Sequence, residues 1–235
     1  MTLKTVVISL GGSRIIPNEV DYEFLREFKT LISKHKNTKF VVVTGGGTTA
    51  RKYIDAYKKM HKSTYRQSRL GIAITRFHAF FMMDYFGKPA NEVHPHSLHK
   101  IKNLLNKNHV VFCGALRHSI KPQTSDATSA QIASYLKCPF INVTNIKGIY
   151  TDNPKTNPKA KFIKQISWED FNEMAKKIKF SAGQHFVLDQ RASQIISKNK
   201  TPTYIVKSLT DISKIVLEKK NISGSLISGK NNYIN

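Results

Sequence analysis

Two glycine stretches, each followed by a cation, are the residues of this chain best suited to chemistry. Residues 44–52 read TGGGTTARK, so Gly45, Gly46 and Gly47 present backbone N–H groups with no Cβ in the way, and Arg51 follows them. A helix starting there adds the positive end of its dipole, which makes the stretch an anion cradle with phosphate as the leading occupant. Leu10-Gly11-Gly12-Ser13-Arg14 repeats the arrangement. Neither stretch has the spacing of a GxxxxGK[ST] loop or of a GxGxxG fingerprint, so a nucleotide held by both is held in another α/β scheme. For either stretch alone, a tight strand-to-helix turn is the plain alternative. Two further polar stretches add candidates. Residues 114–125 carry Arg117, His118, Lys121 and Thr124, and Asp126 then stands in the first turn of a helix opened by Thr124 and Ser125. Residues 144–150 carry Thr144, Asn145 and Tyr150.

These stretches need elements to hold them. Apolar, β-branched runs predict strands at residues 5–10, 39–44, 109–113, 139–144 and 203–206, with an edge strand at 225–227. Apolar spacing of three and four predicts a helix opened by Asp21, with Phe24, Leu25, Phe28, Leu31 and Ile32 inward. Further helices are expected after Gly47 (with Tyr53, Ile54 and Tyr57 on one side) and at 70–86, 97–106, 126–136, 168–177, 189–197 and 211–218. Residues 58–68 carry no strong signal. The 70–86 helix is apolar too far round its axis for a surface helix, so it is expected between layers or against a second subunit. Strands alternating with helices predict an α/β fold, a three-layer α/β/α sandwich with a mainly parallel central sheet. Ligands of such sheets bind beyond the C-terminal strand ends, where all four polar stretches fall.

Composition narrows the classes. The 235 residues are 40% hydrophobic and 10% aromatic, which describes a folded chain with a sizeable core. No apolar run reaches membrane-spanning length and no signal peptide opens the chain, so no membrane partner is expected. Cys113 and Cys138, without CxxC spacing, read as core thiols in a reducing cytoplasm. The formal net charge is +23, but the lysines are spread over helix faces and turns, so a nucleic acid partner is not expected. That field draws polyanions, nucleotides included.

Six stretches together resemble the amino acid kinase family, and within it the archaeal-type UMP kinases. They are ISLGGS (8–13), VVVTGGGTTARKYI (41–54), GIAITRFHA (71–79), TSDATSAQIASYL (124–136), NVTNIKGIYTDNP (142–154) and FVLDQRASQII (186–196). The resemblance spans residues 7–227 and rests on the order and spacing of the pieces. It implies one domain over residues 1–235, with a UMP-binding half at about 1–138 and an ATP-binding half at about 139–235. It implies ATP-dependent phosphorylation of UMP to UDP, with Mg²⁺ accompanying ATP, and commonly a hexamer. By motif position, Asp126, Ser13 and Arg14 are implied in catalysis. Gly12, Ser13, Gly47, Arg51, Thr144, Asn145, Tyr150 and Asn153 are implied at ATP. Gly46, Ser68, Leu116, Arg117, His118, Lys121 and Thr124 are implied at UMP, and no resident metal ligand is implied. The chain departs from the pattern at Ser9, where many members have lysine, and at Ser68, where an aspartate usually meets the ribose. Another small phosphate or carboxylate acceptor, or a nucleotide-binding regulator, stays open as an alternative.

Overall fold

A computed structural model describes residues 4–116, 124–154, 156–177 and 187–229. In chain order the elements are β1 (Thr5–Leu10), α1 (Gly12–Ile15), α2 (Tyr22–Lys34), β2 (Lys39–Thr44), α3 (Gly47–Met60), α4 (Thr64–Phe86), α5 (Leu98–Lys107) and β3 (Val110–Cys113). They continue with α6 (Ser125–Leu136), β4 (Phe140–Val143), β5 (Ile149–Tyr150), β6 (Phe162–Ile163), β7 (Gln165–Ile166) and α7 (Trp168–Lys177). The last are α8 (Gln190–Asn199), β8 (Thr203–Val206), α9 (Leu209–Val216) and β9 (Ser225–Ile227). The sheet order is β3-β2-β1-β4-β8-β9-β7, and β5 pairs with β6 apart from it.

The strands are apolar on both sides because both faces are covered. Val6, Ile8, Leu10, Phe40, Val42 and Phe112 point to one side, where α2, α4 and α9 pack. Their neighbours Val7, Val41, Val43, Val111 and Phe140 point to the other, against α5, α6 and α8. The expected three layers follow from this alternation. Side-chain caps set several helix starts: Asp21 accepts from Phe24 N at 3.0 Å, and Thr124 accepts from Ala127 N at 3.0 Å. Cys113 and Cys138 are buried free thiols, and burial pushes both up to about 12, so they are inert core residues.

Four expectations need correction. β9 is not an edge strand: it runs antiparallel to β8 and parallel to β7, inside the sheet. The glycine stretch after β1 is not all loop, because α1 forms a single turn in it. Residues 58–68 are mostly helical, since α3 runs to Met60 and Ser63 caps an α4 that starts at Thr64. Tyr53 faces solvent at 57% exposure, so α3, which packs on α4 and α1, turns inward Ala50 and its half-buried Ile54 and Tyr57.

Candidate active site

From β1 the chain moves outward through β2 to β3, then returns to place β4 and β8 on the other side of β1. That reversal opens a crevice between the C-terminal ends of β1 and β4, the place where such sheets bind ligands. A cleft of about 490 Å³ lies there. Its walls come from the chain leaving β1 (Gly12, Ser13, Arg14), the chain leaving β2 (Gly46, Gly47, Arg51), the start of α6 (Asp126), and the chain leaving β4 (Thr144, Asn145) with Asn153.

The two glycine stretches touch through main chain. A Cβ on Gly12 would lie 2.5 Å from Gly45 O and Gly47 N. A Cβ on Gly47 would lie 2.4 Å from Gly12 C and Ser13 N, and Gly47 also has φ +57°, the left-handed region. Only glycine at both positions allows this approach. It brings two anion cradles together, each at the start of a helix: α1 after Gly11 and α3 after Gly46. Arg51 stands exposed one turn into α3, with Nη2 donating to Thr48 Oγ1 at 3.2 Å. The Arg14 guanidinium lies 4.3 Å over the Phe24 ring, and burial lowers its pKa against the opposing charge of Asp21.

The carboxylate of Asp126 lines the cleft. Ser9 Oγ, fully buried at the end of β1, donates to Asp126 Oδ1 at 2.9 Å. Burial, then the nearby charge of Asp189, pushes the Asp126 carboxyl up to about 7, with the Ser9 hydrogen bond opposing. Asp189 caps α8, accepting from Arg191 N at 2.8 Å and Ala192 N at 3.0 Å through Oδ1. Its Oδ2 accepts from Thr124 Oγ1, which ties the start of α8 to the start of α6. A buried carboxyl, beside two cradles of N–H groups and an exposed arginine, suits the transfer of a phosphoryl group between two bound phosphates.

The cleft gathers ten of the expected residues: Gly12, Ser13, Arg14, Gly46, Gly47, Arg51, Asp126, Thr144, Asn145 and Asn153. Four others stand back from its walls. Tyr150 packs edge-to-face on Phe162, their ring centres 5.5 Å apart, in the β5–β6 ribbon. Ser68 is half-buried on α4, Leu116 is buried after β3, and Thr124 is occupied as a helix cap. Arg117, His118 and Lys121 lie outside the described residues.

Sequence reasoning missed the support beneath the cradles. His78 Nδ1 donates to Gly45 O at 2.7 Å from within α4. Thr44 Oγ1 donates to Thr75 O at 2.8 Å, and Arg76 Nε donates to Ala115 O at 2.9 Å. The signal was available: His78 and Arg76 are polar residues on the inward side of an otherwise apolar helix, where each must find a partner.

The fold and cleft together define a phosphate-handling α/β enzyme with paired glycine cradles at the switch point of its sheet. The sequence profile of the amino acid kinase family matches residues 4–207, and the chain belongs to that family. It is 34% identical over 203 residues to the uridylate kinase of Archaeoglobus fulgidus, covering 86% of this chain and 90% of that one. It is 30% identical over 203 residues to the uridylate kinase of Thermococcus kodakarensis, covering 86% and 89%. The crystal structure of uridylate kinase from Archaeoglobus fulgidus superposes with a TM-score of 0.82 at 30% identity, over 97% of this chain and all 100% of that one.

Proposed function

We propose that this chain is a UMP kinase, moving the γ-phosphoryl group of ATP to UMP and leaving ADP and UDP. The observation that carries the reading is the main-chain contact between the two glycine stretches, which supports two phosphate sites side by side. The names of the archaeal relatives supply the substrates. An oxygen of the UMP phosphate attacks the γ-phosphorus in line as the bond to the β–γ bridging oxygen breaks. UMP lies over β1, β2 and β3, its phosphate at Gly46, with Ser68, Leu116 and Thr124 on that side; the family resemblance adds Arg117, His118 and Lys121, which lie outside the described residues. ATP lies over β1, β4 and β8, with Gly12, Ser13, Gly47 and Arg51 at its phosphates and Thr144, Asn145, Tyr150 and Asn153 beyond. Arg14 adds positive charge, and Asp126 orients the groups around the transferred phosphoryl.

Mg²⁺ enters with ATP. Among the described residues no three His, Cys, Asp or Glu side chains gather as a metal site, while the single carboxylate of Asp126 lines the cleft. The Asp126 carboxylate would meet an ion that arrives on the phosphate oxygens. Bound there, it would neutralise charge on the β- and γ-phosphates.

The reaction places the chain in the cytoplasmic synthesis of pyrimidine nucleotides leading to CTP. No described helix is long and apolar enough to cross a membrane. The enzyme works as a homo-oligomer, a hexamer built from two-fold pairs. α4 exposes one stripe, Arg66, Arg69, Ala73, Phe77, Phe80 and Asp84, with Phe77 at 63% and Phe80 at 47% exposure. The stripe is self-complementary about its midpoint. Two copies crossing antiparallel set Ala73 against Phe77, and Arg66 against Asp84, an isologous contact.

Ser68, in place of an acid, favours one competing reading, a different small acceptor on the same fold. A coupled ADP-release assay with ATP and Mg²⁺ against UMP, CMP, AMP, GMP and dUMP decides between them. UMP is expected to dominate. Silence across the panel with ATP still bound overturns the UMP kinase reading and leaves a different small acceptor or a nucleotide-binding regulator.

A further inference from the structure

One turn of α4 holds both loops that flank the acceptor side of the cleft. His78 takes Gly45 O, at the start of the glycine cradle after β2. Two residues earlier, Arg76 takes two carbonyls of the chain leaving β3: Nε donates to Ala115 O at 2.9 Å and Nη2 to Leu116 O at 3.2 Å. Thr75 Oγ1 accepts from Ala115 N at 3.1 Å, and His94 Nε2 accepts from Gly114 N at 2.9 Å. Gly114 packs so closely on this turn that a Cβ would lie 2.6 Å from Arg76 N and Thr75 C. Every described main-chain group from Gly114 N to Leu116 O that these bonds use is therefore held by a side chain from α4 or from the segment after it.

Arg76 itself is half-buried, and burial lowers its pKa, so the guanidinium is kept out of water to make these bonds. Its planar fork reaches two successive carbonyls at once, which a lysine ammonium does from a single point. Leu116 and Thr124 bound the connection between β3 and α6. The far end is fixed too, since Thr124 donates to Asp189.

We propose that Arg76 is the positioning residue for the acceptor nucleotide. It acts through main chain: by fixing residues 114–116 relative to Gly45, it sets the spacing between the β2 and β3 exits, where a nucleoside monophosphate is received. The donor nucleotide, on the β4 and β8 side, is untouched by it. This inference rests on the reading of the chain as a UMP kinase.

The test is a split between the two substrates in R76Q and R76K. In R76Q the KM for UMP rises about tenfold to a hundredfold, while the KM for ATP stays within about twofold of wild type. R76K, which retains the charge and one donor, falls between. Hydrogen exchange at residues 114–116 quickens in R76Q, and exchange in the β4 and β8 strands stays as in the wild type. An unchanged KM for UMP in either folded variant overturns the proposal, as does a KM for ATP that rises in step. Calorimetry of the wild type with the nucleoside monophosphate panel separates the two readings. If another monophosphate binds in place of UMP, the UMP reading alone fails and the same KM ratio, measured with that acceptor, decides the role of Arg76. A wild type that binds none of them overturns both.

Discussion

Replacing Gly47 with alanine tests the central contact directly. Gly47 has φ +57°, a conformation that costs a residue with a Cβ about 1–2 kcal/mol. The new methyl would stand 2.4 Å from Gly12 C and Ser13 N. Ordinary carbon contacts lie near 3.5 Å, so the two loops must part by roughly 1 Å, adding about 1–3 kcal/mol of overpacking. For a domain of this size the sum lowers the melting temperature by roughly 5–15 °C. The same displacement separates the phosphate sites, and a misplacement of about 1 Å costs roughly a hundredfold in turnover. Gly87→Ala is the matched control. Gly87 has φ +69° and ψ −144°, a region essentially reserved for glycine, yet a Cβ there meets nothing within 4 Å. It should lose about 1–3 kcal/mol of stability and keep its turnover. Thermal melts and initial rates on both variants read the two effects apart. A folded Gly47→Ala enzyme with near wild-type kcat refutes the argument, and so does an equal loss of activity in Gly87→Ala.

Other outcomes follow from the same geometry. Burial and Asp189 keep a proton on Asp126 up to about 7, and the unfolded chain releases that proton in the ordinary carboxylate range. Its stabilising contribution is thus fully present below about pH 4 and lost as pH rises from there to about 7, so Asp126→Asn should gain in melting temperature over wild type between about pH 4 and pH 7 and hold that gain above it, while losing turnover by orders of magnitude. Ser9→Ala removes the hydrogen bond that opposes the rise, so the inflection in the rate profile should move to higher pH; an unmoved inflection assigns it to another group. Arg51→Ala should raise KM for a phosphate-bearing substrate about tenfold or more with less effect on kcat, and unchanged KM for both substrates would remove Arg51 from the cradle. Phe77→Glu should split the oligomer in sedimentation velocity, and an intact assembly would show that α4 is not the contact.

Much of the site was legible because its chemistry depends on local signals. Three glycines after a β-branched run, with Arg51 one helical turn on, specify a cradle wherever the chain carries them. Asp126 was legible as a first-turn carboxylate after two capping hydroxyls. The three layers followed from uniformly apolar strands alternating with helices. What escaped was non-local. Strands β5, β6 and β7 are two residues each, too short to show any periodicity. The bonds from Arg76 to Ala115 and from His78 to Gly45 join residues far apart in the chain, and no spacing rule encodes them. β9 looked like an edge because three residues cannot reveal which strands will flank them. The start of α4 was hidden by its polar, serine- and arginine-bearing first turns, which pack on little and so show no apolar stripe.

The contact between Gly12 and Gly47 has a consequence for how such a protein can change. Side chains are what mutation alters, and at the meeting of the two loops there are none. Any side chain added at either position drives the loops apart, so the reaction distance lasts only while both stay glycine. Novelty in substrate must come from positions away from that contact. A lineage can exchange one acceptor for another there while the step between the phosphates stays as it was.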